Sequence, residues 1–366
     1  MNKAISVICL FVVCYCLFSC KKKSSNDEST SEKQIIIEGE FRNNNGIHSL
    51  FKTHDNNFAI VARKGESRQL FVALLNSSLS ILWEKSFGSD IDNAGGIIES
   101  NDGGLVIASN KQVSNNPYQI NYCLNLLKLS QTGDILWEKN YLFESGQGTP
   151  YPILQTADGG FIICVSYHIP EDTCRSYPTL FKISQQGDSL WLKSISDHFN
   201  CIGLDIGLAP DQGFLVSGPC SLSRTDSLGN LKWDSHQISH MTSLQVLQDG
   251  SVIVLGSKSG NHILESALTK IDVNGNIVWE SILMNGWVIE SYNLCQSVGD
   301  GFVITEKVNS TVKLIKIDNA GNKMSEKNLD CFSSCGLVPV QGMYCIYTYK
   351  VNTSKQYFDL IISFVD

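Results

Sequence analysis

An Asp-Gly turn recurs along most of this 366-residue chain, at a spacing of roughly 40–55 residues. Each copy precedes a short run of β-branched and aromatic residues, which favours a strand. Such turns supply the positive φ angles that tight hairpins need. The copies are Asp102-Gly103-Gly104, Asp158-Gly159-Gly160, Asp211-Gln212-Gly213, Asp249-Gly250 and Asp300-Gly301, with weaker copies at Asp55-Asn56-Asn57 and Gln341-Gly342. An internal repeat therefore constrains the fold more than any other feature.

A Gly-x-x-x-Trp motif forms the second half of each unit. A short apolar strand precedes it and ends in Lys-x-Asp or Lys-x-Ser, as in Lys270-Ile271-Asp272. The complete motifs are Gly133/Trp137, Gly187/Trp191, Gly229/Trp233 and Gly275/Trp279, whereas Leu79/Trp83 lacks the Gly and Gly321/Ser325 lacks the Trp. Because these tryptophans share one repeat position, we expect them to pack between repeats and not to bind a sugar or a cofactor.

Each unit carries four strand signals. In the fifth unit they are Ser243–Leu247, Val252–Leu255, Ala267–Ile271 and Ile277–Ser281. Four strands repeated seven times predict an all-β, seven-bladed β-propeller with four-stranded blades. A closed ring also removes the exposed sheet edges that a row of separate sheets would leave.

The two ends of the chain predict how the ring closes. The last unit has only two clear strands, Met343–Tyr349 and Phe358–Val365. The run Gln34–Gly39 precedes the first inner-strand candidate, Ile47–Thr53. We expect this N-terminal strand to complete the seventh blade. The alternative is that Ile35–Ile37 is an unrelated apolar run.

The repeat resembles the PQQ-like (quinoprotein-type) propeller repeats, whose strand pair ends in Gly-x-x-x-Trp. It is more similar to the Asp-Gly-Gly…Lys-x-Asp-x-x-Gly-Asn-x-x-Trp repeats of secreted and lipid-anchored proteins of Bacteroidota, and the resemblance covers about residues 34–366. The quinone-binding family also brings a vicinal Cys pair and an acidic calcium site. This sequence has no Cys-Cys pair and no matching acidic cluster. The resemblance therefore implies the fold, and we expect no cofactor and no metal.

The N-terminus has the features of an export signal. A basic start, Met1-Asn2-Lys3, precedes the apolar run Ala4–Phe18, which is shorter than the roughly 20 residues of a membrane span. Leu17-Phe18-Ser19-Cys20 resembles the lipobox of bacterial lipoproteins, which implies cleavage after residue 19 and lipidation of Cys20. The alternative is a plain signal peptide. The polar segment Lys21–Lys33 is typical of a flexible tether.

These features predict three segments: a lipoprotein signal peptide (1–19), a lipidated Cys with a flexible tether (20–33) and a β-propeller domain (34–366). The expected location is the outer membrane, on its cell-surface or periplasmic face, with the lipid anchor as the membrane contact. The formal net charge of −8 argues against nucleic acid as a partner, since nucleic acid requires a basic surface.

Nine cysteines lie in the predicted mature domain, so at least one is unpaired. Candidate disulfides are Cys164–Cys174 and Cys331–Cys335. We expect Cys295 and Cys345, which lie within strands, to pack as small apolar residues. A zinc site at Cys331 and Cys335 has little support, because no second pair or nearby His accompanies them.

The long connections between strands predict where binding occurs. Turns between strands one and two, and between three and four, share one face and are short. The other connections share the opposite face and vary, and variable loops on a rigid scaffold usually carry binding. They include Asn110–Tyr122, Tyr167–Pro178, Gly88–Ala94, Tyr141–Pro152, Ser196–Gly203, His236–Met241 and Leu283–Ser291.

The candidate binding residues on these connections are Trp287, Tyr118, Tyr151, His168, Arg175, Asp197, His198, His240 and Glu290. Trp287 is the only Trp outside the repeat position; its alternative role is a loop anchor. Glu171-Asp172 and Asp197-His198 are the pairs that acid/base catalysis would use. No catalytic motif accompanies them, so whether the chain is an enzyme stays open.

The sequence therefore favours a lipid-anchored, exported propeller that binds a protein or glycan partner without catalysis. One alternative is a propeller hydrolase or lyase that acts on polysaccharide. The other is an assembly scaffold in the outer membrane.

Overall fold

The computed structural model describes residues 34–41, 49–113, 122–142, 152–169, 172–195, 205–219, 221–260, 263–286, 289–297, 300–308, 311–329, 334–340, 343–352 and 357–365. The chain divides into two units, Met1–Ser31 and Glu32–Asp366, and all of these residues belong to the second. The predicted signal peptide, Cys20 and the tether lie outside the described residues. No helix among the described residues is long and apolar enough to cross a membrane.

The described residues form 28 β-strands arranged in seven four-stranded antiparallel blades. Blade 1 contains β2 (Ser49–Lys52), β3 (Phe58–Lys64), β4 (Gln69–Leu75) and β5 (Ile81–Phe87). Blade 2 contains β6 (Ile91–Glu99), β7 (Leu105–Gln112), β8 (Tyr122–Leu129) and β9 (Ile135–Tyr141). Blade 3 contains β10 (Ile153–Gln155), β11 (Phe161–Ile169), β12 (Asp172–Ile183) and β13 (Ser189–Ser194). Blade 4 contains β14 (Asp205–Leu208), β15 (Phe214–Ser217), β16 (Leu222–Thr225) and β17 (Leu231–Ser235).

The remaining blades follow the same order. Blade 5 contains β18 (Ser239–Val246), β19 (Val252–Gly260), β20 (Ile263–Ile271) and β21 (Ile277–Gly286). Blade 6 contains β22 (Ile289–Gln296), β23 (Phe302–Val308), β24 (Thr311–Ile317) and β25 (Lys323–Leu329). Blade 7 contains β26 (Ser334–Val340), β27 (Met343–Asn352), β28 (Tyr357–Val365) and, as its outer strand, β1 (Gln34–Phe41). The seven-bladed propeller predicted from the repeat is confirmed.

The N-terminal strand closes the ring as predicted. β1 runs antiparallel to β28, with Gln34 opposite Ser363 and Phe41 opposite Phe358. Phe41 also pairs with Lys64 of β3, which joins blade 7 to blade 1. Ile37 and Phe41 lie in one buried cluster with residues of both blades, so the closing strand is held by apolar packing as well as by backbone hydrogen bonds.

The repeated tryptophans pack between blades, as predicted. Each lies on the outer strand of one blade and covers the turn glycine of the next. A Cβ built on that glycine would lie within 3.3 Å of the ring in each of the five pairs, which are Trp83/Gly133, Trp137/Gly187, Trp191/Gly229, Trp233/Gly275 and Trp279/Gly321. The indole N–H of Trp83 donates to the Gln131 carbonyl at 2.9 Å, and that of Trp233 donates to Val273 at 2.9 Å. The Gly-x-x-x-Trp motif therefore encodes contacts between successive blades.

The two incomplete motifs flank the closing blade. Blade 7 takes its outer strand from the N-terminus and has no repeat Trp, so the turn of blade 1 needs no glycine. Leu79 occupies that position with φ 59° and is buried in the cluster that contains Ile37 and Phe41. On the other side, blade 7 has no turn between its third and fourth strands, so a Trp at position 325 would have no glycine to cover. Ser325 stands there and is exposed.

Two details differ from the sequence-based predictions. Asp300-Gly301 is out of register by one residue, because Ser297 N donates to Gly301 O as Ser100 N donates to Gly104 O. The Cys164–Cys174 disulfide is wrong: Cys164 lies on β11 opposite Leu180, whereas Cys174 lies beyond Ser176, which is opposite His168 at the far end of the hairpin. Cys331 lies outside the described residues. Cys295 and Cys345 are buried in apolar clusters, as predicted.

Several connections predicted as loops continue the strands instead. Tyr167–Pro178 is a paired hairpin in which Tyr167 lies opposite Tyr177, and Leu283–Ser291 contains the end of β21 and the start of β22. Aromatic and β-branched residues favour strands, and the pairing continues through both of these segments.

Replacing Phe41 tests the closure. Its ring is fully buried and contacts Phe71 edge-to-face, with ring centroids 5.3 Å apart. We expect Phe41→Ala to lower the free energy of unfolding by about 3–5 kcal/mol, measured by urea denaturation. Ile36→Ala on the same strand is the matched control, because Ile36 is 47% exposed. Equal, small effects of both substitutions would contradict closure by β1.

Gly229 tests the packing between blades. Its φ is 78°, and a Cβ there would lie 2.8 Å from Trp191. Gly65 has a similar φ of 76°, but a Cβ there would meet only Ser67 Oγ at 3.9 Å, an ordinary contact. Both alanine variants carry the cost of a left-handed residue, so we expect Gly229→Ala to lose about 1–3 kcal/mol more than Gly65→Ala. The excess should vanish in a Trp191→Ala background; if it persists there, the tryptophan is not its cause.

Candidate binding face

The strand order gives the ring two unlike faces. We call the face with the turns between strands one and two, and three and four, the repetitive face. The opposite face, with the connections between strands two and three and from one blade to the next, is the variable face.

On the repetitive face, buried Lys side chains form ion pairs with the aspartates of the turns. In the Asp-Gly-Gly turn, Asp102 accepts a hydrogen bond from Gly104 N at 3.0 Å, and Lys128 of β8 reaches it at 2.8 Å. Lys182 and Asp158 repeat the pair at 2.9 Å. A Cβ on Gly104 would lie 2.3 Å from the Leu129 carbonyl, which explains the second glycine.

The same cation–carboxylate geometry recurs in later blades. Arg224 pairs with Asp211, and Lys270 lies 3.9 Å from Asp249. Burial disfavours ionisation of Asp102, yet its hydrogen bonds from Lys128 and Ser100 outweigh that effect and lower its pKa to about 2. These carboxylates are therefore structural, since their charge is already matched by cations of the same blade.

Among the described residues, the hairpin of blade 4 is the shortest on the variable face, and we call the space above it the recess. The hairpin of blade 4 is short, with four residues in each of β15 and β16. The hairpins on either side are longer: β11 and β12 have 9 and 12 residues, and β19 and β20 have 9 each. At about 3.3 Å per residue, five extra residues project these hairpins about 16 Å further than blade 4. Among the described residues, Gly218 and Pro219 end the short hairpin at the floor of this recess.

His240 lies at the edge of the recess and is exposed. It sits in a wide bulge of β18, between Ser239 and Ser243, with φ 48°. Its N–H donates to the Pro219 carbonyl at 2.8 Å, and the N–H of Met241 donates to Gly218 at 3.3 Å. Bulges with a left-handed residue often occur next to functional sites. The bulge ties blade 5 to the short hairpin of blade 4.

Two other predicted residues flank the same recess. His168 and Arg175 lie on the long hairpin of blade 3, where His168 is opposite Ser176 and Arg175 lies in the irregular segment of β12. Glu290 is on β22 of blade 6, opposite Lys307, and is not part of this group. Tyr118, Tyr151, Glu171, Asp197, His198 and Trp287 lie outside the described residues.

Sequence reasoning missed Asp205, the first residue of β14. Its Oδ2 accepts hydrogen bonds from Leu244 N at 2.8 Å and from Ser243 Oγ at 3.2 Å, and its Oδ1 accepts one from Ile206 N at 2.8 Å. Burial raises its pKa to about 6, although these hydrogen bonds act to lower the pKa. No described Lys or Arg pairs with it. A charged residue within the apolar run Ile202–Ala209 was the available signal.

Groups typical of transition-metal sites were not found. In the part of the chain that the structure describes, no three His, Cys, Asp or Glu side chains are placed to hold a metal ion. The thiols of Cys295 and Cys345 have pKa values raised by burial to about 12, so they are poor nucleophiles and poor ligands.

Asp205 predicts an unusual pH dependence. Because its pKa rises from 3.8 to about 6 on folding, the folded state binds this proton more tightly than the unfolded state. Its contribution to stability is therefore greatest below about pH 4 and is lost as the pH rises through about 6. We expect the free energy of unfolding of the wild type, relative to that of Asp205→Asn, to fall by about 3 kcal/mol as the pH rises across this range. Urea denaturation with choline chloride as the salt measures both values. A difference that is flat, or that rises with pH, would contradict burial of this carboxyl.

Comparison with solved structures identifies the architecture. Hydrazine synthase of Kuenenia stuttgartiensis aligns with a TM-score of 0.59 at 11% identity, over 93% of this chain and 98% of that one. The WD40 domain of Neurospora crassa Pan2 aligns with 0.55 at 11% identity, over 87% and 89%. The polysaccharide lyase Uly1 aligns with 0.55 at 10% identity, over 88% and 90%. No protein-family model and no curated protein matches the sequence. The chain is therefore similar to these proteins in fold alone.

Proposed function

We propose that this protein is a lipid-anchored, exported propeller that binds a protein or glycan partner through its variable face without catalysis. The recess above blade 4 carries this proposal. Among the described residues, it lies between the longer hairpins of blades 3 and 5, on the face with the irregular connections. Concave surfaces with convergent polar groups are the usual places where partners bind.

The point where the chain enters the propeller supports the anchoring part of the proposal. Gln34 lies opposite Ser363, near the end of β28 at the repetitive face, whereas Phe41 lies at the variable-face end. A lipid on Cys20 would therefore connect to the repetitive face through Lys21–Lys33. This tether would span at most about 45 Å when extended and about 20 Å on average.

The alternatives have less support. A polysaccharide hydrolase typically requires two suitably placed carboxyl groups. Asp205 is the one carboxyl that the described residues place at the recess floor, and it already accepts three hydrogen bonds. The scaffold alternative differs from the main proposal only in the identity of the partner.

Substitutions on the two faces test the proposal. A soluble Cys20→Ser form is screened on a glycan array and in pull-downs from solubilised membranes. We expect His240→Asn and Arg175→Ala to weaken the observed binding by about tenfold or more, the range of a lost binding contact. Asn is chosen at position 240 because it tolerates a left-handed conformation.

Leu228→Ala is the matched control, since Leu228 is 62% exposed in a turn of the repetitive face. Binding that is weakened by this control, and unchanged by both recess variants, would assign the partner to the repetitive face and overturn the proposal.

A further inference from the structure

An exposed aliphatic residue recurs at one position of the outer strands. It directly precedes the repeat Trp, or Ser325 in blade 6, and only blade 4 of blades 1 to 6 has a polar residue there, Lys232. The five aliphatic residues, each between 52% and 67% exposed, are Leu82, Leu136, Leu190, Val278 and Met324. We call these five the apolar belt. Single exposed apolar residues are ordinary on a protein surface, but recurrence at one repeat position indicates a common role.

A β-bulge directs each belt residue outward. In blade 2, Trp137 lies opposite Lys128 and Ile135 lies opposite Leu129, so Leu136 has no partner across the strands. The same shift in register occurs at the belt residues of blades 1, 3, 5 and 6. A bulge changes the direction of a side chain. Here the belt residue is exposed, whereas the Trp that follows it covers the turn of the next blade.

The belt is narrow and lies at the repetitive-face end of the outer strands. Each member is three residues beyond the turn position that holds Gly133 in blade 2. Because the blades repeat one geometry, the members lie at one level around the ring. Two residues further along the strand, about 7 Å closer to the variable face, four blades have a glutamate: Glu84, Glu138, Glu280 and Glu326. A ring of aliphatic side chains bordered by carboxylates fits shallow contact with a planar surface.

The chain enters the propeller at the same end of the blades. Gln34 lies opposite Ser363, at the repetitive-face end of β1. Two residues later, Ile36 is 47% exposed on the outer strand of blade 7. Only the segment Lys21–Lys33 separates Gln34 from Cys20. A lipid on Cys20 would therefore hold the membrane within reach of the belt.

Ion pairs balance charge beside the belt. Asp134, in the turn of blade 2, pairs with Lys85 of blade 1 at 2.9 Å. Asp188, in the turn of blade 3, pairs with Lys139 of blade 2 at 2.6 Å. Attraction to anionic lipids requires a cluster of unmatched Lys or Arg side chains. These matched pairs favour contact with zwitterionic headgroups, in which aliphatic side chains supply the affinity.

We propose that the apolar belt binds a lipid surface, namely the zwitterionic headgroup layer of the membrane in which the chain is anchored. This inference rests on the anchoring part of the proposed function. Contact around the ring would keep the repetitive face against the membrane and the variable face exposed to partners. The lipid anchor supplies attachment, and the belt supplies orientation.

Quenching of the repeat tryptophans tests this contact. Trp83, Trp137, Trp191 and Trp279 each follow a belt residue and are four of the six tryptophans. Residues 21–366, which include the whole second unit and every blade, are bound by an N-terminal His tag to phosphatidylcholine vesicles that contain a nickel-chelating lipid. Bromine atoms near the start of the acyl chains quench indole rings at the membrane surface. We expect brominated vesicles to lower the fluorescence by about one third or more, relative to unbrominated vesicles.

Two matched double variants assign the contact to the belt. Leu190→Gln with Val278→Gln should remove about half of the quenching, because two of the five belt side chains lose their apolar surface. Leu192→Gln with Ile282→Gln should leave the quenching unchanged. Leu192 and Ile282 are exposed on the same two strands but lie closer to the variable face. Absence of quenching in the wild type, or an equal loss in both variants, would overturn the proposal.

Two further measurements separate this inference from its alternatives. Mass spectrometry of the mature protein shows whether Cys20 carries acyl chains. Because the His tag replaces that anchor, an unmodified Cys20 would contradict the proposed anchoring without altering the quenching result. Sedimentation without vesicles shows whether the belt joins two copies of the chain. A dimer that Leu190→Gln with Val278→Gln dissociates, together with absent quenching, would assign the belt to a second copy and not to lipid.

Discussion

Closure by β1 is the constraint on which the rest of the propeller depends. Each of blades 1 to 6 is a chain-contiguous sheet, but blade 7 exists only when the first and last strands of the domain pair. That pairing brings together residues more than 300 positions apart. Contacts between residues so far apart in sequence have the largest loss of chain entropy when they form. The buried cluster around Phe41 and Tyr347 gives the closure a hydrophobic driving force in addition to its hydrogen bonds.

The incomplete copies of the repeat motif lie where the ring closes. Five Trp/Gly pairs join successive blades, and the two places where the pair is broken are the two sides of blade 7. Leu79 tolerates a left-handed backbone because its side chain fills space that a tryptophan would otherwise occupy. Ser325 is exposed because no turn lies opposite it. The motif residues are absent at these two positions because they would have no partner in blade 7.

Sequence periodicity predicted the fold well because each blade repeats the same local chemistry. Turn glycines, alternating apolar strands and the Trp position all act over short distances, and even the closing strand could be inferred from a missing fourth strand. Details that depend on pairing across blades were harder. The shift at Asp300 and the separation of Cys164 from Cys174 follow from register, which a single sequence does not display.

The candidate site was less predictable for the same reason. Asp205 and Leu244, whose backbone N–H donates to it, are 39 positions apart, and neither belongs to a motif. Their contact arises because the first strands of blades 4 and 5 lie side by side. The repeat motifs show what the blades share, whereas binding depends on where one blade differs from the others. In the described part of the ring, blade 4 differs in its short hairpin and blade 5 in the His240 bulge. Both differences lie at the variable face, which is why we propose that binding occurs there.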